Sequence, residues 1–340
     1  MMQCPICGEQ NLQGASQCRR CGAFLLSLYL PVGTKLRGGA YTVGKVLGQG
    51  GFGITYKGSD TRFQRVVIIR EFFPPYPRCM RQGNLVSIAT PSITPAEFEE
   101  LKECFLHEAK ILLLVNHPGI PRVYDTFEEN NTVYIVMEFL EGKPLSHLLE
   151  ERGGVMEEAE AVGYILQAAE ALEAVHQAGY LHRDIKPDNI FICFDGRVVL
   201  LDFALARPYK GTTRWCLYCG VKVSENERVC SRCRLLIRDG CIWLDPNWYE
   251  PLEKFAWGMH VGPPFDIYAL GATLYHLLTG QVPPPAPDRL IGMDLLPPHQ
   301  LNPKVSRSVS EAVMKAMAIR VEERPQTVRA FIEILRGETG

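Results

Sequence analysis

Apolar and polar positions alternate with two different periods along this chain. Tyr41-Thr42-Val43-Gly44-Lys45-Val46-Leu47 alternates with period two and is rich in β-prone residues, as are Ile54-Thr55-Tyr56-Lys57 and Val66-Val67-Ile68-Ile69-Arg70. Each predicts a strand. From Pro95 to Val115 the spacing lengthens, and Phe98, Leu101, Phe105 and Leu112 form one helical stripe. Thr94-Pro95-Ala96-Glu97 opens that stripe with the form of a capping box and a proline at the first helical position. Val133 to Leu140 predicts another strand. Val162, Ile165, Leu166, Ala169, Leu172 and Val175 predict the buried face of a second long helix, closed by Gly179.

Composition narrows the class without naming a function. The 340 residues are 46% hydrophobic with net charge −2, enough for one large or two modest globular units. The balanced charge supplies no argument for a nucleic-acid or membrane surface. The N-terminus lacks the ordered charge, apolar core and cleavage site of a signal peptide, and no apolar run reaches bilayer length, so the expected compartment is the cytoplasm.

Cysteine usage does change the picture. Of 12 cysteines, Cys4, Cys7, Cys18 and Cys21 form two C-x-x-C pairs ten residues apart, and Cys216, Cys219, Cys230 and Cys233 repeat that spacing. A two-residue gap lets one tight turn aim both sulfurs at a single tetrahedral ion, so each set predicts a structural Zn²⁺ ribbon. Oxidisable thiol clusters and nucleic-acid-binding ribbons, the latter resting on Arg19 and Arg20, are the alternatives. Cys79, Cys104, Cys193 and Cys241 have no ligand spacing and read as small buried hydrophobes.

The densest chemistry lies in Tyr180-Leu181-His182-Arg183-Asp184-Ile185-Lys186-Pro187-Asp188-Asn189. A carboxylate, a cation and a carboxamide at this spacing can orient a hydroxyl, neutralise a phosphoryl oxygen and hold a metal ion. Gly48-Gln49-Gly50-Gly51-Phe52-Gly53 lies between two predicted strands, which suits a covering hairpin over phosphates better than a dinucleotide turn leading into a helix.

With Val198-Val199-Leu200-Leu201-Asp202-Phe203-Ala204, Pro251-Leu252-Glu253 and Asp266-Ile267-Tyr268-Ala269-Leu270-Gly271 following in order, residues 34–336 resemble bacterial-type serine/threonine protein kinases. The resemblance implies an α+β, two-lobed kinase fold: a zinc ribbon at 1–23, a linker at 24–35, an N-lobe at 36–140 and a C-lobe at 141–336. The second ribbon, 214–235, would then be inserted in the activation segment.

It implies ATP and Mg²⁺ as cofactors and a protein as substrate. Asp184 would orient the hydroxyl, Lys186 steady the γ-phosphate, and Asn189 and Asp202 hold Mg²⁺. Leu47, Gly48, Gly50, Gly53, Thr55, Met137, Glu138 and Leu140 would line the nucleotide site, with Arg70 and Glu108 as the pair that positions its phosphates. Glu253 would meet Arg324, and Asp266 would brace the catalytic loop.

Three positions depart from the family pattern. Arg70 replaces a lysine, Ile68 a small residue, and Ala204 the glycine of D-F-G. Arginine keeps the charge but fixes its donors in a planar fork, Ile68 narrows the adenine side, and Ala204 restricts the backbone. They support an alternative, a pseudokinase scaffold that binds a regulatory partner through its ribbons. The second ribbon occupies the place of a phosphorylatable loop, so metal is expected to take over or gate ordering that phosphate performs through Arg183. Thr212, Thr213, Ser224 and Ser231 are the local phosphorylation candidates.

Overall fold

The β-prone alternation of the first half of the chain folds as a sheet. In the computed structural model, residues 2–3, 9–12, 18–20, 28–50, 53–74, 79–88, 93–209, 214–215, 222–223, 248–254 and 261–338 are described. They divide into one unit of residues 1–109 and 123–139 and another of 110–122 and 140–340.

The first unit contains β1 (Met2–Gln3), β2 (Gln10–Asn11), β3 (Lys35–Leu36), β4 (Tyr41–Gln49), β5 (Gly53–Asp60), β6 (Arg65–Phe72), β7 (Cys79–Gln82), β8 (Leu85–Ile88), the greater part of helix α1 (Pro95–Leu114), β9 (Val123–Glu129) and β10 (Thr132–Glu138). Strands β3-β4-β5-β6-β10-β9 form one sheet in that order, antiparallel throughout. Its period-two pattern puts Tyr41, Val43, Ile54, Tyr56, Val67 and Ile69 into the core.

The capping box forms as the sequence predicts. The Thr94 hydroxyl accepts from Glu97 N at 3.2 Å, and the Glu97 carboxylate accepts from Thr94 N at 2.8 Å. Phe98 and Phe105 of α1 then tilt onto Phe72, with ring centroids 5.2 and 5.5 Å away. The β7–β8 hairpin, whose turn holds Gly83 at φ 63°, has no counterpart in the periodicity of the sequence.

The second unit contains β11 (Gly142–Pro144), α2 (Leu145–Glu151), α3 (Glu158–Gln177), β12 (Tyr180–Leu181), β13 (Ile190–Cys193), β14 (Val198–Leu200), β15 (Arg207–Pro208), β16 (Arg214–Trp215), β17 (Lys222–Val223), α4 (Pro264–Thr279), α5 (Ala286–Leu290), α6 (Pro298–Leu301), α7 (Arg307–Ala316) and α8 (Val328–Arg336). On α3, Ile165, Ala169, Leu172 and Val175 are buried, whereas Val162 and Leu166 are half-buried at the edge of the stripe. Helix α4 is apolar on nearly every side and runs through the middle of this unit's core. Gly271 lets α7 approach: a Cβ there would lie 2.8 Å from the Ala316 methyl. Ser306 and Thr327 cap α7 and α8, accepting from Val309 N and Ala330 N.

Both cysteine repeats begin with the same small hairpin. β1 ends immediately before Cys4 and β2 begins three residues after Cys7; β16 and β17 bracket Cys216 and Cys219 identically. Cys4, Cys7, Cys21, Cys216, Cys219, Cys230 and Cys233 lie outside the described residues, as do Cys241, Thr212, Thr213, Ser224 and Ser231. Cys79 and Cys193 are buried and Cys104 is half-buried. Among the described residues, no helix is long and apolar enough to cross a membrane.

Candidate active site

The candidate site residues fall on both units, and each set has its own scaffold. In the first unit, β4 and β5 flank the glycine-rich segment, closed by a hydrogen bond from Gly50 N to Gly53 O at 2.9 Å. Gly53 is required sterically, since a Cβ there would come within 2.3 Å of Glu71 O. A Cβ added at Gly48 or Gly50 would meet nothing within 4 Å, so open space lies beside the backbone at both. Leu47 is exposed, and Gly51 and Phe52 lie outside the described residues.

Side chains on one face of the sheet follow from register. Thr55, Arg70 and Ile135 make one row across β5, β6 and β10, and Lys57, Ile68 and Met137 the next. Ile68 therefore stands beside Met137, which is buried; Glu138 and Leu140 are half-buried beyond it. The Arg70 guanidinium forms an ion pair with Glu108 of α1, and its carbon lies 5.5 Å from the centre of the Phe105 ring. The pair is only partly exposed, so its charges interact in a reduced dielectric.

In the second unit, β12 and β15 pair beside the loop at 182–189. The Asp184 carboxylate accepts from Lys186 Nζ at 3.0 and 3.1 Å and from Asn189 Nδ2 at 2.7 Å. Asn189 also donates to Asp184 O, and its own backbone carbonyl accepts from Leu201 N at 2.8 Å, which sets Asp202 next in line. Asp202 is exposed, whereas Phe203 is buried edge-on against His182, centroids 4.5 Å apart. Asn189 and Asp202 offer the hard oxygen donors that Mg²⁺ selects, so the residues fit that ion.

Asp266 at the start of α4 fixes the loop backbone. Its carboxylate accepts from His182 N, Arg183 N and His176 Nε2, each at 2.8 Å. Burial pushes the Asp266 pKa upward, but the His176 hydrogen bond and nearby imidazole charges outweigh it and hold the carboxyl below its ordinary value. Burial holds His182 below its ordinary value as well, against the pull of the Asp266, Asp184 and Asp202 charges, and its Nε2 lies 3.0 Å from Leu201 O. Arg183 and Asp202 adopt left-handed backbone, φ 70° and 62°, a conformation non-glycine residues hold only where surroundings impose it. Burial, then the neighbouring charge of Arg207, lowers the Arg183 pKa to about 10.

Ala204 does not share the left-handed conformation, so its Cβ brings no backbone strain of that kind. At the far end of the segment, Glu253 meets Arg324 as the sequence leads one to expect, with N–O distances of 2.6 and 3.0 Å. The sequence does not single out His176; its only signal is a histidine on the buried stripe of α3. Likewise Tyr249, whose hydroxyl lies 2.7 Å from His276 Nδ1, has no motif of its own.

The protein kinase domain profile matches residues 41–226. Serine/threonine-protein kinase PknA of a Nostoc species is 30% identical over 87% of this chain and 47% of its own length. PknB of Mycobacterium leprae is 29% identical over 88% of this chain and 43% of its own length. The curated relatives matched are longer, and the chain spans 38–47% of their lengths. Among solved structures, one titled PpkA-294 apo form superposes with a TM-score of 0.71 at 27% identity, covering 91% of this chain and all of that one.

Proposed function

We propose, from the premise that this chain belongs to the protein kinase domain family, that it is a serine/threonine kinase moving the γ-phosphate of ATP to a hydroxyl of another protein. The observation that carries this reading is the Asp184 carboxylate, held by Lys186 and Asn189 on a loop whose backbone amides Asp266 fixes.

Asp184 accepts and aims the attacking hydroxyl, and Lys186, bonded to it, would share the charge of the transferred group. Arg70, paired with Glu108, presents a cation for the phosphates, while Leu47, Gly48, Gly50, Gly53 and Thr55 cover them. Met137, Glu138 and Leu140 line the base. Asn189 and Asp202 would hold Mg²⁺, which supplies Lewis-acid neutralisation of phosphoryl charge when bound. Two of the three departures leave their local arrangements intact, since Arg70 keeps its pair and Ala204 carries no left-handed strain. That favours an active kinase over a scaffold.

Incubation with Mg²⁺-ATP and a basic protein substrate, followed by intact-mass detection of phosphate, tests the reading. Phosphate is expected on the substrate or on the chain itself; none on either, with folding verified, would overturn it. Arg70→Lys is expected to lower the KM for ATP about three- to tenfold, since a compact ammonium reaches phosphate oxygens without the directional limits of guanidinium. Steady-state kinetics at varied ATP checks this, and an unchanged or raised KM would show the arginine to be the better fit.

Structural zinc in both ribbons belongs to the same proposal. The matching hairpins support it, as does Cys18, whose sulfur accepts from Arg20 N at 3.4 Å and Asn11 Nδ2 at 3.6 Å, the surroundings of a thiolate. Among the described residues, no group of three or more ligand side chains occurs, the other seven cysteines of the repeats lying outside them. Elemental analysis is expected to find about two Zn²⁺ per chain and about one in Cys18→Ser. Chelation is then expected to lower kinase activity, since the 214–235 ribbon lies between Asp202 and Glu253; full activity without zinc would show that metal does not gate the segment.

A further inference from the structure

The face of β6 opposite Arg70 carries an ion pair that phosphate transfer does not use. Glu71, the next residue, is wholly buried there, and Arg81 of β7 reaches its Oε2 at 2.5 Å. Tyr56 Oη donates to Oε2 at 2.8 Å and Tyr134 Oη to Oε1 at 3.0 Å. Burial, then the Glu71 charge, pushes both tyrosine hydroxyls far above their ordinary pKa, so they remain donors. One carboxylate thus joins β5, β6, β10 and the β7–β8 hairpin. A buried pair of this kind is stable only when its remaining donors and acceptors are also satisfied.

Arg81 satisfies them by reaching beyond the sheet. Its Nη1 donates to Asn84 O at 3.0 Å, and its Nε donates to Leu28 O at 3.0 Å. Leu30 N donates to the Tyr56 hydroxyl at 3.1 Å. Residues 28–30 are therefore strapped to the buried network at both ends. Between those anchors Tyr29, 38% exposed, donates its hydroxyl to Gln49 Oε1 at 3.2 Å. Gln49 sits between Gly48 and Gly50, at both of which an added Cβ would meet nothing within 4 Å.

We propose that Tyr29 is a positioning residue for nucleotide: from a strap anchored by Glu71 and Arg81, it holds the first half of the glycine-rich segment through Gln49. The inference rests on the kinase reading and adds to it a residue outside the family's motifs. Gln49 is the last residue of β4, paired with Ile54, and the glycines on both sides offer no side chains to pack against it. A hydrogen bond from a fixed strap removes conformations that nucleotide binding would otherwise have to remove, so its effect falls on affinity more than on turnover.

The test uses the full chain and a fluorescent methylanthraniloyl-ATP probe beside steady-state kinetics. Tyr29→Phe is expected to weaken probe binding and raise the KM for ATP by about two- to tenfold, the range of one hydrogen bond, with kcat within about twofold of the parent. In a Gln49→Met background, Tyr29→Phe should add nothing, because the two side chains act as one contact. Equal affinity in the parent and Tyr29→Phe, or effects that add in the double variant, would overturn the inference alone. A parent chain that binds no probe would overturn the kinase reading and this inference with it.

Discussion

Asp184→Asn is expected to lower phosphate transfer by about 10²–10⁴-fold, the contribution of a positioned proton acceptor, while nucleotide affinity stays near that of the parent. The carboxylate is nearly buried, and its two oxygens take bonds from Lys186 and Asn189. An amide has almost the same shape but one acceptor oxygen and no charge. It would weaken the charge-assisted bond to Lys186 and remove the acceptor for the hydroxyl proton. The backbone around it should not move, because Asp266 holds His182 and Arg183 rather than Asp184 itself. Single-turnover phosphate incorporation measured beside nucleotide titration separates the two effects. Transfer at the parent rate would show that another group accepts the proton.

Arg324→Met is expected to destabilise the protein by about 3–5 kcal/mol, the cost of stripping one partner from a buried ion pair. Arg324 and Glu253 are both essentially inaccessible. The guanidinium donates to both Glu253 oxygens and to Ala318 O, Ile319 O and Pro264 O. Removing it leaves a buried carboxylate without its cation and takes a donor from three carbonyls at once. Chemical denaturation should show the loss as a shifted midpoint. Replacing Glu253 by methionine as well should return part of it, since no unpaired charge then remains in the core. A midpoint unmoved in Arg324→Met would mean that water reaches Glu253 and solvates it.

What the sequence makes legible is short in range or carried by rare residue combinations. The capping box at Thr94–Glu97 is written in four adjacent residues, and the loop at 182–189 in eight, so both can be read without any knowledge of packing. The pairs Arg70–Glu108 and Glu253–Arg324 are distant in sequence and become legible only through family resemblance. Glu71 and Arg81 are ten residues apart, both charged, and in isolation each reads as surface. Only the β7–β8 hairpin folding over the sheet buries them together, and that hairpin lacks the periodicity of a longer strand. Ala204 shows the reverse. The loss of glycine looks restrictive in the sequence, yet the left-handed positions are Asp202 and Arg183.

Asp266 gives the loop at 182–189 a tether in the core. A carboxylate from the first turn of the most deeply buried helix grips two consecutive backbone amides of the loop and the ring of His176 on α3. Loops ordinarily exchange, fray and reopen on their own, at a small fraction of the free energy that unfolds a domain. Here two amides next to Asp184 are bonded to a helix at the centre of the unit, so opening the loop there also removes donors from a buried carboxylate. A carboxylate left without those donors in the core would cost more than a broken surface contact, which ties the order of this loop to the packing of α4.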